Sequence, residues 1–297
     1  MSGATASGSG KAAERTAVFV PPSQHNDQVR MRRAHAAAAR KFGVEATGPE
    51  VWGWQGRTIG RRAGRWWLRL LSVPEDKRGG RLWEGTAAAD AALPRSVPRP
   101  RLHDLLDWSA GGQAYRAELT EYVSLPALQT GGPVLHSELE LPDAWWADLR
   151  AALAAIATVA TERQAVRQQW VDRNFARFLG IPAIRITDWT TGHGDLHWAN
   201  LTSAPLVILD WEGWGRLPVG YDIGLLHAYS LTTPATAERI RARFVHVLST
   251  PAGKTGELVA LAQLLQVVGR GGHPELAPHL ARHAQQLTGM PVPDTTS

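Results

Sequence analysis

The stretch that decides the reading is Thr191-Gly192-His193-Gly194-Asp195-Leu196-His197-Trp198-Ala199-Asn200, with Leu209-Asp210-Trp211-Glu212 shortly after it. Between the two, Leu201–Ser203 and Leu206–Leu209 flank Ala204-Pro205, the pattern of a compact hairpin. Such a hairpin folds Asp210 back beside Asp195 and Asn200. Two carboxylates and an amide oxygen then converge on one point. These are hard oxygen donors for a cation, and a carboxylate among them can accept a proton. A lone Asp in a strand–turn region is a turn residue by default; three such residues ordered in this way make a site.

Outward from that stretch, two kinds of text appear. Toward the N-terminus, Asn26-Asp27 predicts a cap for a helix with apolar side Met31, Ala34, Ala38 and Phe42, stopped by Gly43. Three short strands are expected over 51–54, 57–62 and 66–71, with Ala63-Gly64 as the turn between the last two. A helix over Trp83–Leu93, a proline-broken loop and a strand over Ala114–Leu119 follow. After Ser124 the spacing turns helical: Trp146, Leu149, Leu153, Ile156 and Ala160 line one side of a helix opened by Pro142-Asp143. Trp170, Phe175, Phe178 and Leu179 line the next, and Gly180-Ile181-Pro182 ends it. Residues 184–212 read as strand-like, and 222–287 as helical with breaks near Pro234, Pro251 and Gly271-Gly272. The expected domains are a disordered tail (1–20), a sheet-rich lobe (21–124) and a helical lobe (125–297).

Composition narrows the chemistry. The chain has 297 residues, enough for one large bilobal unit. It has no cysteine, which excludes disulfides, thiolate nucleophiles and Cys-based metal sites. No apolar run approaches the ~18 residues a membrane span needs. The apolar run Ala17–Val20 is too short for a signal-peptide core, so a cytoplasmic location without membrane partners is expected. The 13 Trp are read mainly as core residues, with Trp214 as a candidate for lining a substrate pocket. Residues 126–250 hold 12 acids against 10 Lys and Arg, and residues 251–297 three of each, so the excess of +7 falls in residues 1–125. A basic half suits polyphosphate or nucleic acid. No nucleic-acid module accompanies it, and no nucleic-acid partner is expected.

Phosphoryl transfer matches this residue set, because the protein's task there is positioning and charge neutralisation. The run His193-Gly194-Asp195 followed by Asn200, then Leu209-Asp210-Trp211-Glu212, then Gly220-Tyr221-Asp222-Ile223-Gly224, resembles the aminoglycoside phosphotransferase and choline kinase family. At longer range it is similar to the protein-kinase catalytic loop and its metal-binding aspartate. The close match covers about 30 residues. The resemblance implies an α+β, bilobal protein kinase-like fold, with a small antiparallel-sheet N-lobe and a larger, mostly helical C-lobe. It implies an ATP-dependent kinase acting on a hydroxyl of a small molecule, antibiotic or metabolite, with ATP and Mg²⁺ as cofactors.

Residue roles follow from the same resemblance. Asp195 aligns the acceptor hydroxyl; Asn200 and Asp210 bind Mg²⁺, with Glu212 assisting or facing the acceptor. His193 shapes the loop. Asp222 braces it and is also a candidate helix cap. The family's third-strand lysine falls at Arg69, a departure from the pattern, with Glu84 as candidate partner. Thr120-Glu121-Tyr122-Val123 matches the hinge, where the backbone at Glu121 and Val123 would meet adenine. Glycines 53, 56 and 60 read either as a flap over phosphates or as hairpin turns.

Two other readings compete. His193, Asp195 and His197 alternate along one face and, with Asp210, suit zinc in a metallohydrolase. A nucleotide-binding relative with a regulatory role is the other, favoured by Arg69. Ala252-Gly253-Lys254-Thr255 resembles the end of a phosphate-binding loop, but Leu248 stands where its first glycine belongs, so it is read as a loop between helices.

Overall fold

The computed structural model describes residues 19–293. The expected tail over 1–20 therefore lies outside the described residues except for its last two. The first helix, α1 (His25–Phe42), buries Met31, His35, Ala38 and Ala39 against the sheet and ends at Gly43, whose φ of 65° is a left-handed stop. It begins one residue before the expected cap: Gln24 takes that position without a side-chain bond, and Asp27 accepts from Arg30 in the first turn.

The sheet is antiparallel, in the order β1 (Thr47–Trp52), β2 (Thr58–Ala63), β3 (Trp66–Pro74), β5 (Gln113–Glu121), β4 (Leu102–Ala110). The turn between β2 and β3 is Gly64-Arg65, and Ala63 pairs Trp66 across it. Ile59, Leu68, Leu70, Ala117 and Leu119 are sealed beneath α1. Strand β4 falls where a proline-broken loop is predicted. As an edge strand carrying Asp104 and Asp107 it shows no clean two-residue alternation, so its periodic signal is weak. Gly53 and Gly56 flank or end a single 3₁₀ turn and Gly60 lies within β2, so all three belong to the hairpin region.

Helix α2 (Arg81–Ala92) crosses from the sheet to the helical part. There α3 (Asp143–Ala157), α4 (Gln168–Leu179), α5 (Tyr221–Ala228), α6 (Pro234–Arg243), α7 (Val245–Leu248), α8 (Pro251–Val268) and α9 (Ala277–Thr288) accompany a two-stranded ribbon, β6 (Trp189–Gly192) with β7 (Gly215–Pro218), on which α3 and α8 pack. Leu149 and Ile156 of α3 and Val171 and Phe175 of α4 are buried in one continuous core, each contributing roughly 1.5–3 kcal/mol. Trp145, Trp146 and Trp198 pack with ring centroids 5.0 to 6.4 Å apart. Their indole N–H groups find partners in two cases: Thr202 O at 3.0 Å for Trp145 and Ser230 Oγ at 2.8 Å for Trp198. No helix among the described residues is long and apolar enough to cross a membrane.

Two expectations fail here. Residues 184–212 hold only β6 and two isolated pairings, Leu201 with Ile208 and Thr202 with Ala127; residues 198–200 and 211–213 are single 3₁₀ turns. Ala252–Thr255 is the first turn of α8, with Pro251 opening the helix and Thr250 Oγ1 accepting from Gly253 N at 3.0 Å.

Candidate active site

The hairpin forms. Thr202 N donates to Val207 O at 3.1 Å and Leu209 N to Asn200 O at 2.8 Å, which sets Asp210 one residue beyond Asn200's own backbone bond. Asp210 then takes a left-handed conformation (φ 58°, ψ 72°), uncommon for a residue other than glycine. It is exposed, and its carboxylate accepts no hydrogen bond within the described residues. Asn200 Nδ2 donates to Asp195 O at 3.0 Å and lies 3.2 Å from His197 Nε2. With its nitrogen so engaged, the Asn200 Oδ1 stays available. The structure thus brings Asp195, Asn200 and Asp210 together.

The loop that carries Asp195 is fixed from behind. Asp222, in the first turn of α5, accepts from His193 N at 2.7 Å and Gly194 N at 2.9 Å. It does not cap the helix: Gly220 holds the cap position, two residues earlier. His193 is fully buried; its Nδ1 accepts from Asp195 N at 3.3 Å, so Nε2–H donates to Leu209 O at 2.8 Å. Both ring nitrogens are committed. The zinc set proposed from the alternation of His193, Asp195 and His197 therefore loses its first ligand.

Charge is distributed unevenly. The Asp195 side chain is half open to solvent, with His197 Nε2 3.6 Å from its Oδ2. Its surroundings desolvate the carboxyl, yet His197, His193 and Arg81 outweigh this and hold it below the usual carboxylate range. For Asp210, enclosure by neighbouring residues pushes the carboxyl up, Asp195 adds to the push, and Arg69 opposes it. Arg69 weighs more than Asp195 in this balance, so the upward push rests on desolvation by the surrounding residues. Glu212 is also raised, by burial and then by Asp210, against the pull of Arg69.

Arg69 joins the two faces. It sits in β3 opposite Glu118 of β5, donates to Glu118 Oε2 at 3.0 Å, and ion-pairs Glu212 Oε2 with its other Nη. Burial works against its charge, but Glu212, Glu118 and Asp210 raise its hold on the proton. The expected partner Glu84 makes no contact of this kind. It is exposed on α2, where Arg163 feels its charge. The reason is the closeness of α2 to the loop. A Cβ on Gly85 would overlap the Glu212 backbone, and Arg81 Nη1 donates to Gly213 O at 2.6 Å. So the 211–213 turn sits between α2 and β3, and Glu212 occupies the place a helix glutamate would take.

Glu121 and Val123 lie where β5 ends; Glu121 exchanges backbone and side-chain bonds with Arg101. Trp214 is not a pocket residue. It is 1% exposed, and its indole N–H donates to Gly85 O at 3.0 Å. A surface hollow of about 550 Å³ between α1 and the sheet, lined by Arg30, Arg33, Trp108 and Tyr115 among others, contains none of the residues above. Sequence reasoning missed Glu118 and Arg81. Strand pairing carries a signal for the first, since a carboxylate faces the predicted cation across one ladder; no local signal marks the second.

Compared by sequence, the chain matches no protein-family profile and no curated protein. Compared by structure, it is similar to the aminoglycoside phosphotransferase APH(4)-Ia in ternary complex with ADP and hygromycin B. The TM-score is 0.56 at 14% identity, over 86% of this chain and 99% of that one. It is similar also to the amicoumacin kinase hAmiN in complex with AMP-PNP, Ca²⁺ and Ami, with a TM-score of 0.51 at 11% identity, over 90% and 97% of the two chains. The chain has the bilobal, protein kinase-like fold. In that fold the five-stranded sheet with α1 and α2 is the small part and α3–α9 the large one, and the Arg69–Glu212 ion pair crosses the junction between them.

Proposed function

We propose that the protein is an ATP-dependent phosphotransferase that moves the γ-phosphate to a hydroxyl of a small molecule. In this reading residues 21–124 form the nucleotide lobe and 125–297 the lobe that carries the reaction and binds the acceptor. The observation that carries it is the pair of unshared oxygen donors, Asn200 Oδ1 and the Asp210 carboxylate, beside an ionised Asp195.

That donor set fits Mg²⁺, which takes oxygen ligands and one or two protein groups beside phosphates. Asn200 and Asp210 would hold it, and when bound it would neutralise charge on the transferring phosphoryl group. Glu212 is less suited, since its carboxylate is engaged by Arg69. Asp195 orients the acceptor hydroxyl. The acceptor oxygen forms its bond to the γ-phosphorus as the bridge to the β-phosphate breaks, ADP leaves, and the hydroxyl proton passes to the Asp195 carboxylate. Its carboxyl is held below the usual carboxylate range, so Asp195 is ionised and able to accept a proton at neutral pH. Arg69 is the cation on the phosphate side, where a lysine would be a point charge; each of its Nη atoms already donates to a carboxylate, so phosphate would compete with Glu118 and Glu212 for it. The backbone near Glu121 and Val123 is the adenine edge. A cytoplasmic location goes with this reading.

The test combines thermal shift with ADP release across a panel of hydroxyl compounds, including hygromycin B and amicoumacin, in the presence of ATP and Mg²⁺. A Mg²⁺-dependent ATP shift and turnover abolished in Asp195→Asn support the kinase. Absence of any nucleotide shift, or turnover indifferent to Asp195→Asn, rejects it. The tethering of Arg69 by two carboxylates favours a second reading, a nucleotide-binding relative without catalysis. Its mark is a normal ATP shift with no ADP release over the whole panel.

A further inference from the structure

Away from that junction, three titratable side chains from three helices meet inside the helical core: His227 of α5, Glu257 of α8 and His283 of α9. They are 3%, 0% and 9% exposed. One candidate ligand atom from each lies within 4.8 Å of the others. Glu257 Oε1 is 3.2 Å from His227 Nδ1 and 2.8 Å from His283 Nε2. The phosphotransfer reading gives none of them a task.

The sequence builds this meeting from glycines where α5 and α8 cross. Gly256 abuts the Val219 carbonyl, and a Cβ on Gly224 would stand 2.7 Å from Glu257 Cα. Without side chains at the crossing, α8 lies directly on α5. Glu257 follows Gly256, and His227 sits one turn beyond Gly224, so both project into the same place.

As a plain ion-pair cluster the arrangement is poorly closed. Arg241 also reaches Glu257 Oε1, at 2.9 Å, while the buried Oε2 has no hydrogen-bond partner among the described residues. The buried His227 Nδ1 has none either, despite its proximity to Glu257. His283 Nδ1 faces Gln286 Oε1 at 3.4 Å. A proton on that nitrogen leaves Nε2 with a bare lone pair directed at the carboxylate. With the proton on Nε2 instead, the same contact is a hydrogen bond to Glu257 Oε1; with Nε2 bare, a metal cation is what can bridge the two atoms.

We propose that His227, Glu257 and His283 form a binding site for a divalent cation of the zinc class, which staples α5, α8 and α9 together. Two imidazoles and a carboxylate suit Zn²⁺, whereas Mg²⁺ and Ca²⁺ prefer oxygen throughout. With ligand bonds of about 2.0–2.2 Å, tetrahedral donors stand about 3.3 Å apart. The gaps of 3.2 and 2.8 Å need only a small opening. Gln286 supplies the outer partner that a metal-bound imidazole normally has. Arg241, whose side chain is 38% exposed, can leave Oε1 for solvent when the ion arrives. Helix α5 also carries Asp222, which holds the backbone at His193 and Gly194, so the staple would steady the catalytic loop from behind.

The test uses the full chain without an affinity tag, stripped by chelator and dialysed against Zn²⁺, with bound metal and melting temperature measured. The expected result is one equivalent per chain and a raised melting temperature, both kept in Asp195→Asn. Affinity should fall at least about tenfold in His283→Gln and in His227→Gln. Arg241→Gln should bind as tightly or more tightly. Co²⁺ in place of Zn²⁺ should give a visible tetrahedral spectrum that His283→Gln removes. His283, at the edge of the cluster, keeps the test decisive if the His227 variant does not fold. Absence of stoichiometric metal in the wild type, retention in His283→Gln, or loss in Asp195→Asn would each overturn the proposal.

Discussion

On the loop face, Asp195, Asn200 and Asp210 are positioned by bonds between residues 193 and 210 and by the brace from Asp222. On the sheet face, Arg69 is positioned by carboxylates 49 and 143 residues away. The loop face needs only a correct hairpin and the brace from Asp222. The sheet face exists only when β3, β5 and the 211–213 turn have all assembled. The first keeps its oxygen donors free for a ligand; the second spends its charge on the protein itself. Substitutions on the two faces should therefore separate activity from stability.

The sharpest break is Asp195→Asn. Its half-exposed carboxylate supports little of the fold. Turnover should drop by at least about 10²–10⁴-fold with the melting temperature nearly unchanged, as read by ADP release and calorimetry on one sample. A large loss of stability would mean that the loop face is structural. The reverse pattern is expected for Arg69→Ala. It leaves Glu118, whose side chain is 3% exposed, without its cation, and removing one partner of a buried pair typically costs about 3–5 kcal/mol. Urea unfolding measures this, and Glu118→Gln in the same chain should recover part of the loss.

Gly85→Ala probes the contact between the faces. The new methyl meets the Glu212 backbone, so α2 or the 211–213 turn must move. Nucleotide affinity should weaken by more than stability does, which titration calorimetry beside thermal melting can check. The smallest effect has an unusual sign. A carboxyl raised in the folded chain is one whose ionisation the fold opposes, so stability falls as pH rises through its folded value. Asp210→Asn removes that cost. Above the ordinary carboxylate range the ligand-free variant should melt slightly higher than the wild type, and the gain should vanish on acidification.

This contrast also explains what could be read from the chain alone. Asp195, Asn200 and Asp210 lie within one short stretch whose hairpin signal, two apolar runs about Ala204-Pro205, is local. Glu118 and Glu212 as partners of Arg69 depend on strand pairing and on how deeply α2 seats at Gly85, which no short-range pattern records. Glu84 was the natural candidate because it sits on the right helix, yet the helix presents Gly85 to the turn instead. Strand β4 escapes for a related reason, since an edge strand of exposed and half-buried residues lacks a buried period. Trp214 has the composition of a pocket residue and the position of a joint; only the bond to Gly85 O decides between them. The helical start at Pro251 was legible in Thr250-Pro251, and the phosphate-loop likeness of the next four residues obscured it.

The most direct measurement is calorimetric titration of a non-hydrolysable ATP analogue with and without Mg²⁺, in wild type, Asp210→Asn and Glu212→Gln. The account predicts that Mg²⁺ tightens binding in the wild type and in Glu212→Gln and has little effect in Asp210→Asn. Equal Mg²⁺ dependence in wild type and Asp210→Asn would contradict it.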